Sequence, residues 1–123
     1  MSAAKCLPGD VKLGQQSLDV DFVSNERKPK TGYFCVARST IYINLNIAIP
    51  ADTSPFDVEL WQRQEQGNDV VINTRTVDPQ QGRFQFLAFF SVDDWPIANT
   101  RCFVRFRAGS SEVIFTGSIK SDD

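Results

Sequence analysis

Residues 39–49 read STIYINLNIAI, and their alternation decides the fold class. Ile41, Ile43, Leu45, Ile47 and Ile49 share one side of an extended chain, while Tyr42, Asn44, Asn46 and Ala48 share the other. A period of two describes a strand with one buried and one wet face, and Pro50, which offers no ladder donor, ends it. The pattern recurs downstream. In PFDVELWQ (55–62), Phe56, Val58 and Leu60 point inward, and in CFVRFRA (102–108) Cys102, Val104 and Phe106 do the same. SLDVDFV (17–23), GYFCVAR (32–38), NDVVINTRTV (68–77), GRFQFLAFF (82–90) and SEVIFTGSI (111–119) are rich in the β-branched and aromatic residues that strands favour. No segment sustains the spacing of an amphipathic helix. The chain therefore reads as all-β: an antiparallel two-sheet β-sandwich of about eight strands.

Gly67-Asn68, Asp78-Pro79 through Gly82, and Ala108-Gly109-Ser110-Ser111 each separate two strand candidates and predict hairpins. The longer polar link SVDDWPIANT (91–100) is expected to carry the chain between sheets, with Trp95-Pro96 folded back as a plug. Pro8, Gly9 and Gly14 punctuate residues 1–17, which read as an extended N-terminal arm, either disordered or ordered by a neighbour. Residues 18–121 then form a single sandwich domain and 122–123 an acidic tail.

With 123 residues and a net charge of −2, the chain suits one domain and lacks the basic excess of most nucleic-acid binders. No apolar run is long enough to span a bilayer, and the opening MSAAKCLPGD lacks the pattern of a secretory signal. Histidine is absent, which removes imidazole proton shuttles, nucleophilic Ser-His and Cys-His pairs, and histidine metal ligands. The three cysteines are too far apart for a zinc knuckle. Reduced thiols are the simpler reading of an odd number, and where a bridge forms, the expected pair is Cys35 with Cys102, both in strand segments. Asp57 and Glu59 share the outward face of one strand and read as solvated surface. Asp19, Asp21, Asp93 and Asp94 read as caps and turns, since no calcium-loop spacing accompanies them. An enzyme is not expected, and no cofactor is.

Large aromatics on the polar side of the alternation carry the functional reading. Trp61 lies among Asp57, Glu59 and Arg63, Tyr42 among Asn44 and Asn46, and Phe103 beside Arg105. Trp, Tyr and Arg anchor protein interfaces, so these rings predict a partner surface, with cover by the arm and stacking on a sugar as the alternatives. Arg101, Arg105 and Arg107 around Phe103 also fit a single-strand nucleic-acid platform, but cross-strand pairing with residues such as Glu59 is preferred for an acidic chain. GRFQFLAFF is apolar on both faces toward its end, so it is either central or set against another subunit, which adds Phe89 and Phe90 to the candidates, as Trp95 is in the link.

The stretch from GRFQFLAFF through NTRCFVRFRAGSSEVIFTGSI resembles the closing strands of immunoglobulin-like and fibronectin-type modules of bacterial surface proteins and phage structural proteins. The antibody signature is not met, because Trp61 lies on the polar side of its strand. The resemblance implies a scaffold role: a non-enzymatic structural protein, such as a virion subunit or capsid decoration protein, assembling with copies of itself or other subunits. The alternative is a carbohydrate- or ligand-binding module that uses Trp61 and Tyr42 as a stacking platform.

Overall fold

The computed structural model describes residues 3–13, 16–23, 31–36, 40–49, 55–78, 82–91, 99–107 and 113–121. They form nine strands: β1 (Val11–Leu13), β2 (Leu18–Val23), β3 (Phe34–Val36), β4 (Thr40–Ile49), β5 (Phe56–Gln62), β6 (Val70–Val77), β7 (Gly82–Ser91), β8 (Cys102–Arg107) and β9 (Ile114–Lys120). One sheet has the order β1-β3-β8-β5-β6 and the other β2-β9-β4-β7. Every strand pair is antiparallel except β1 with β3. The expected all-β two-sheet sandwich is thus what the chain forms.

Its connectivity is nested. β5 pairs with β6, β4 with β7, β3 with β8 and β2 with β9, as if one long hairpin had been folded over on itself. Successive strands from β2 to β5 and from β6 to β9 alternate between sheets, which is jelly-roll connectivity and differs from the immunoglobulin order. Of the three predicted hairpins only the one at Gly67, whose φ of 84° suits a turn glycine, joins adjacent strands of one sheet. The turns at 78–82 and 108–111 instead lead from one sheet to the other. So does the 91–100 link, as expected, although its Trp95-Pro96 lies outside the described residues.

The sandwich is filled by the inward phase of the alternation. Ile41, Ile43, Leu45 and Ile47 of β4 face Val58, Leu60, Val104 and Phe106, all at most 1% exposed. Phe115 of β9 joins the two sheets, edge-on to Phe56 at 5.7 Å and tilted against Phe106 at 4.6 Å between centroids. At one end the core is closed by a polar chain. Gln64 Nε2 donates to Gln62 Oε1, Gln62 Nε2 donates to Thr100 Oγ1, and that hydroxyl lies 3.8 Å from Cys102 Sγ. No buried side-chain nitrogen or oxygen among the described residues lacks a partner, which removes the main cost of burying two glutamines.

The expected Cys35–Cys102 bridge is overturned. Cys35 is bonded to Cys6, with Cα atoms 6.0 Å apart, and Cys102 is a buried free thiol. The reason is register: Phe34 stands opposite Cys102 and shares its inward direction, so Cys35, one residue on, points to the other face of the sheet. Burial pushes the Cys102 thiol up to about 12, against a smaller lowering from its contact with Thr100.

The described part of the 1–17 segment lies along the sandwich. β1 runs parallel to β3, Cys6 is bonded to Cys35, and Ala4 donates its N–H to the Arg63 carbonyl while accepting from the Arg101 N–H. Arg101 Nε and Nη2 grip the Asp10 carboxylate at 2.9 and 3.0 Å. Burial raises the Asp10 pKa, but hydrogen bonds from Arg101 and the Leu7 N–H, with the Arg101 charge, outweigh it and leave the carboxyl below its ordinary value.

Candidate interaction surfaces

The outer face of the five-stranded sheet follows from the other phase of β5 and β8. Their register sets Asp57 opposite Arg107, Glu59 opposite Arg105 and Trp61 opposite Phe103. Opposite charges and paired rings across adjacent strands are favourable, and this register sets the half-buried Arg105 opposite Glu59. Both carboxylates have donors: Thr76 Oγ1 to Asp57 at 2.9 Å and Trp61 Nε1 to Glu59 at 3.1 Å.

Phe103 is not exposed as expected. It is 4% accessible, stacked on Trp61 with centroids 5.9 Å apart and edge-on to Tyr33 at 5.8 Å. The Arg101 guanidinium lies over the Tyr33 ring at 3.9 Å, and Arg63 Nη1 donates to the Tyr33 hydroxyl at 3.1 Å. Alternation tells which side of a sheet a residue takes, not what lies over that side. Here Tyr33 and Trp61 pack on Phe103, and Arg101, held by Asp10, lies over Tyr33, which makes a second, smaller cluster with Trp61 half-buried. Cover by the chain itself therefore accounts for much of this face. Tyr33 and Asp10 escaped the sequence reading; the one available signal was that Tyr33 shares the phase of Cys35 in GYFCVAR.

The outer face of the four-stranded sheet is more open. Tyr42 is 39% exposed, Leu87 67% and Ile114 44%, set among Asn44, Asn46, Gln85, Thr116 and Ser118. Gln85 Nε2 donates to Asn44 Oδ1 at 3.0 Å across the β4–β7 ladder. A shallow depression of about 210 Å³ lies where Asn46, Ala48, Ile114 and Thr116 meet. Tyr42 is in register with Phe89, but the side chains of Phe89 and Phe90, like Trp95 as a whole, lie outside the described residues. Tyr42 and Trp61 occupy opposite outer faces of the sandwich, so they do not form the single stacking platform that was expected.

Among the described residues no three His, Cys, Asp or Glu side chains group to hold a metal ion, and no helix is long and apolar enough to cross a membrane. The architecture defines a jelly-roll β-sandwich with two unlike outer faces, one covered by its own aromatic cluster and one open. Comparison with protein-family models, with curated proteins and with solved structures gives no match to this chain.

Proposed function

We propose that this chain is a non-enzymatic structural protein that works by assembling with other protein subunits, as a virion subunit or capsid decoration protein does. The observation that carries the reading is the open face of the four-stranded sheet. Tyr42, Leu87 and Ile114 are exposed beside Asn44, Asn46, Gln85 and Thr116, with Lys120 and, on the edge strand β2, Asp19 and Asp21 around them, an apolar and amide centre with a charged rim of the kind protein interfaces have. Jelly-roll connectivity supports it as analogy only, since viral capsid domains and lectins both use it. Light scattering of the full chain from micromolar to millimolar concentration tests the reading: a defined oligomer is expected, and a monomer throughout refutes self-assembly.

The amide row beside Tyr42 favours one second reading, a carbohydrate-binding module, because an aromatic ring flanked by Asn44, Asn46 and Gln85 offers both stacking and hydrogen bonds to a sugar. Binding on a glycan array that is lost in Tyr42→Ala would support it over assembly.

A further inference from the structure

Among the described residues the sandwich has four terminal strands, and three carry a device that discourages another strand from adding to them. β1 is three residues long. β2 places Asp19 and Asp21 on its outer face, and β6 holds a bulge where its register with β5 shifts between Leu60 and Trp61. Short length, charge and bulges are the ordinary protections of a sheet edge. β7 has none of them. It is ten residues long, its register with β4 runs unbroken from Thr40↔Ser91 to Ile49↔Gly82, and GRFQFLAFFS contains no proline and one charge, Arg83. The sequence required this segment to be central or set against another subunit, and it is terminal in its sheet.

We propose that β7 pairs with β7 of a second copy of this chain, antiparallel about a two-fold axis, to give a continuous eight-stranded sheet. This rests on the assembly reading and specifies its contact. Residues opposite one another across an antiparallel pair must share a face, so the axis passes through a residue, and Leu87 is the position that buries the most exposed large apolar side chain against its own copy. Gln85 then faces Phe89 of the other copy and Arg83 faces Ser91, which keeps the two Arg83 residues about 27 Å apart. Nine residues pair, with roughly one backbone hydrogen bond each. A strand without net charge in its middle meets no repulsion from itself, whereas a charged peptide would find no counter-charge there.

Single cysteines test the register. In the two-fold pairing Leu87→Cys brings two Cα atoms to about 5 Å, inside disulfide range, while Gln85→Cys leaves them about 14 Å apart. Mild oxidation is therefore expected to convert most of L87C to a covalent dimer and at least tenfold less of Q85C. Leu87→Lys sets two ammonium groups face to face and is expected to weaken dimerisation at least tenfold, with circular dichroism unchanged, and with the urea midpoint unchanged at dilutions where both chains are monomeric, because the side chain is then exposed in both. Three outcomes overturn the proposal. If the native chain assembles while L87K keeps its mass, or if the two cysteine variants cross-link equally, β7 is the wrong contact and assembly uses another surface. A native chain that stays monomeric overturns the assembly reading with it.

Discussion

Replacing Gly117 with alanine tests how closely β9 and β4 approach. Gly117 lies at mid-strand in β9, opposite Val20 of β2 and Leu45 of β4, with a φ of 150° that L side chains rarely adopt. A Cβ there would overlap the Asn44 carbonyl oxygen and stand 3.0 Å from the Leu45 Cα, so backbone rather than a flexible side chain has to move. Overpacking of this kind costs about 1–3 kcal/mol, and holding a non-glycine residue at an unfavourable φ costs a similar amount. Together they remove about 4 kcal/mol. With a urea dependence of about 2 kcal/mol per molar, the midpoint falls by about 2 M, readable by tryptophan fluorescence. Gly9→Ala and Gly32→Ala are the controls: a Cβ at either meets nothing within 4 Å, and each is expected to stay within about 0.5 kcal/mol of the native protein. If G117A unfolds within about 0.5 M of the native midpoint, the close approach of β9 to β4 is refuted.

Four further expectations follow from the covered face and the thiols. The Cys6–Cys35 bridge spans a sequence separation of 29, so removing it with a double serine variant is expected to cost about 3.5 kcal/mol in the loop-entropy account, measured by urea unfolding. Thiol titration should find no reactive group in the native protein, one after denaturation and three after reduction, since Cys102 is fully buried and its thiol is pushed up to about 12. Asp10→Asn should lose about 1–2 kcal/mol at pH 7. Because the folded Asp10 pKa is lowered from 3.8, its contribution is present above about pH 5 and disappears as pH falls through the folded value, so the gap between D10N and the native protein closes in acid. Phe103→Ala, although on the outward phase of β8, should cost about 3 kcal/mol and shift tryptophan emission to longer wavelength as Trp61 loses its stacked ring; an exposed-residue effect below about 0.5 kcal/mol would contradict the covered cluster.

Strand existence and facing were legible because a period of two is a local signal. STIYINLNIAI and PFDVELWQ became β4 and β5 with Ile41, Ile43, Leu45, Ile47, Phe56, Val58 and Leu60 inward as read, while the side chain of Ile49 lies outside the described residues. Partner choice was not, because turn residues report a change of direction and not the sheet to which the chain then goes. This is why the turns at 78–82 and 108–111 read as hairpins but are crossovers. Cys35 and Cys102 looked like a pair for the same reason: both lie in strands, and only the register of Phe34 with Cys102 shows that the thiols point apart. At the open face the sequence identified Tyr42 and the doubly apolar β7. At the covered face it found Trp61, Phe103 and Arg101 and missed Tyr33, which packs on Phe103, and Asp10, which holds Arg101 from 91 positions away, a contact that no local pattern encodes.

Nested pairing also imposes an order in time. β9 is the last of the nine described strands, yet it lies inside its sheet, between β2 and β4. The β5–β6 hairpin is local and can close within microseconds, whereas β2 waits for a partner about a hundred residues later. During synthesis, β4 therefore leaves the ribosome with both edges unpaired until β7 and then β9 arrive, and its inward isoleucines wait for β5 and β8 of the other sheet. A chain stopped short of residue 114 would lose a central strand and the Phe115 contact that joins the sheets, so the sandwich stays open until β9 has been made.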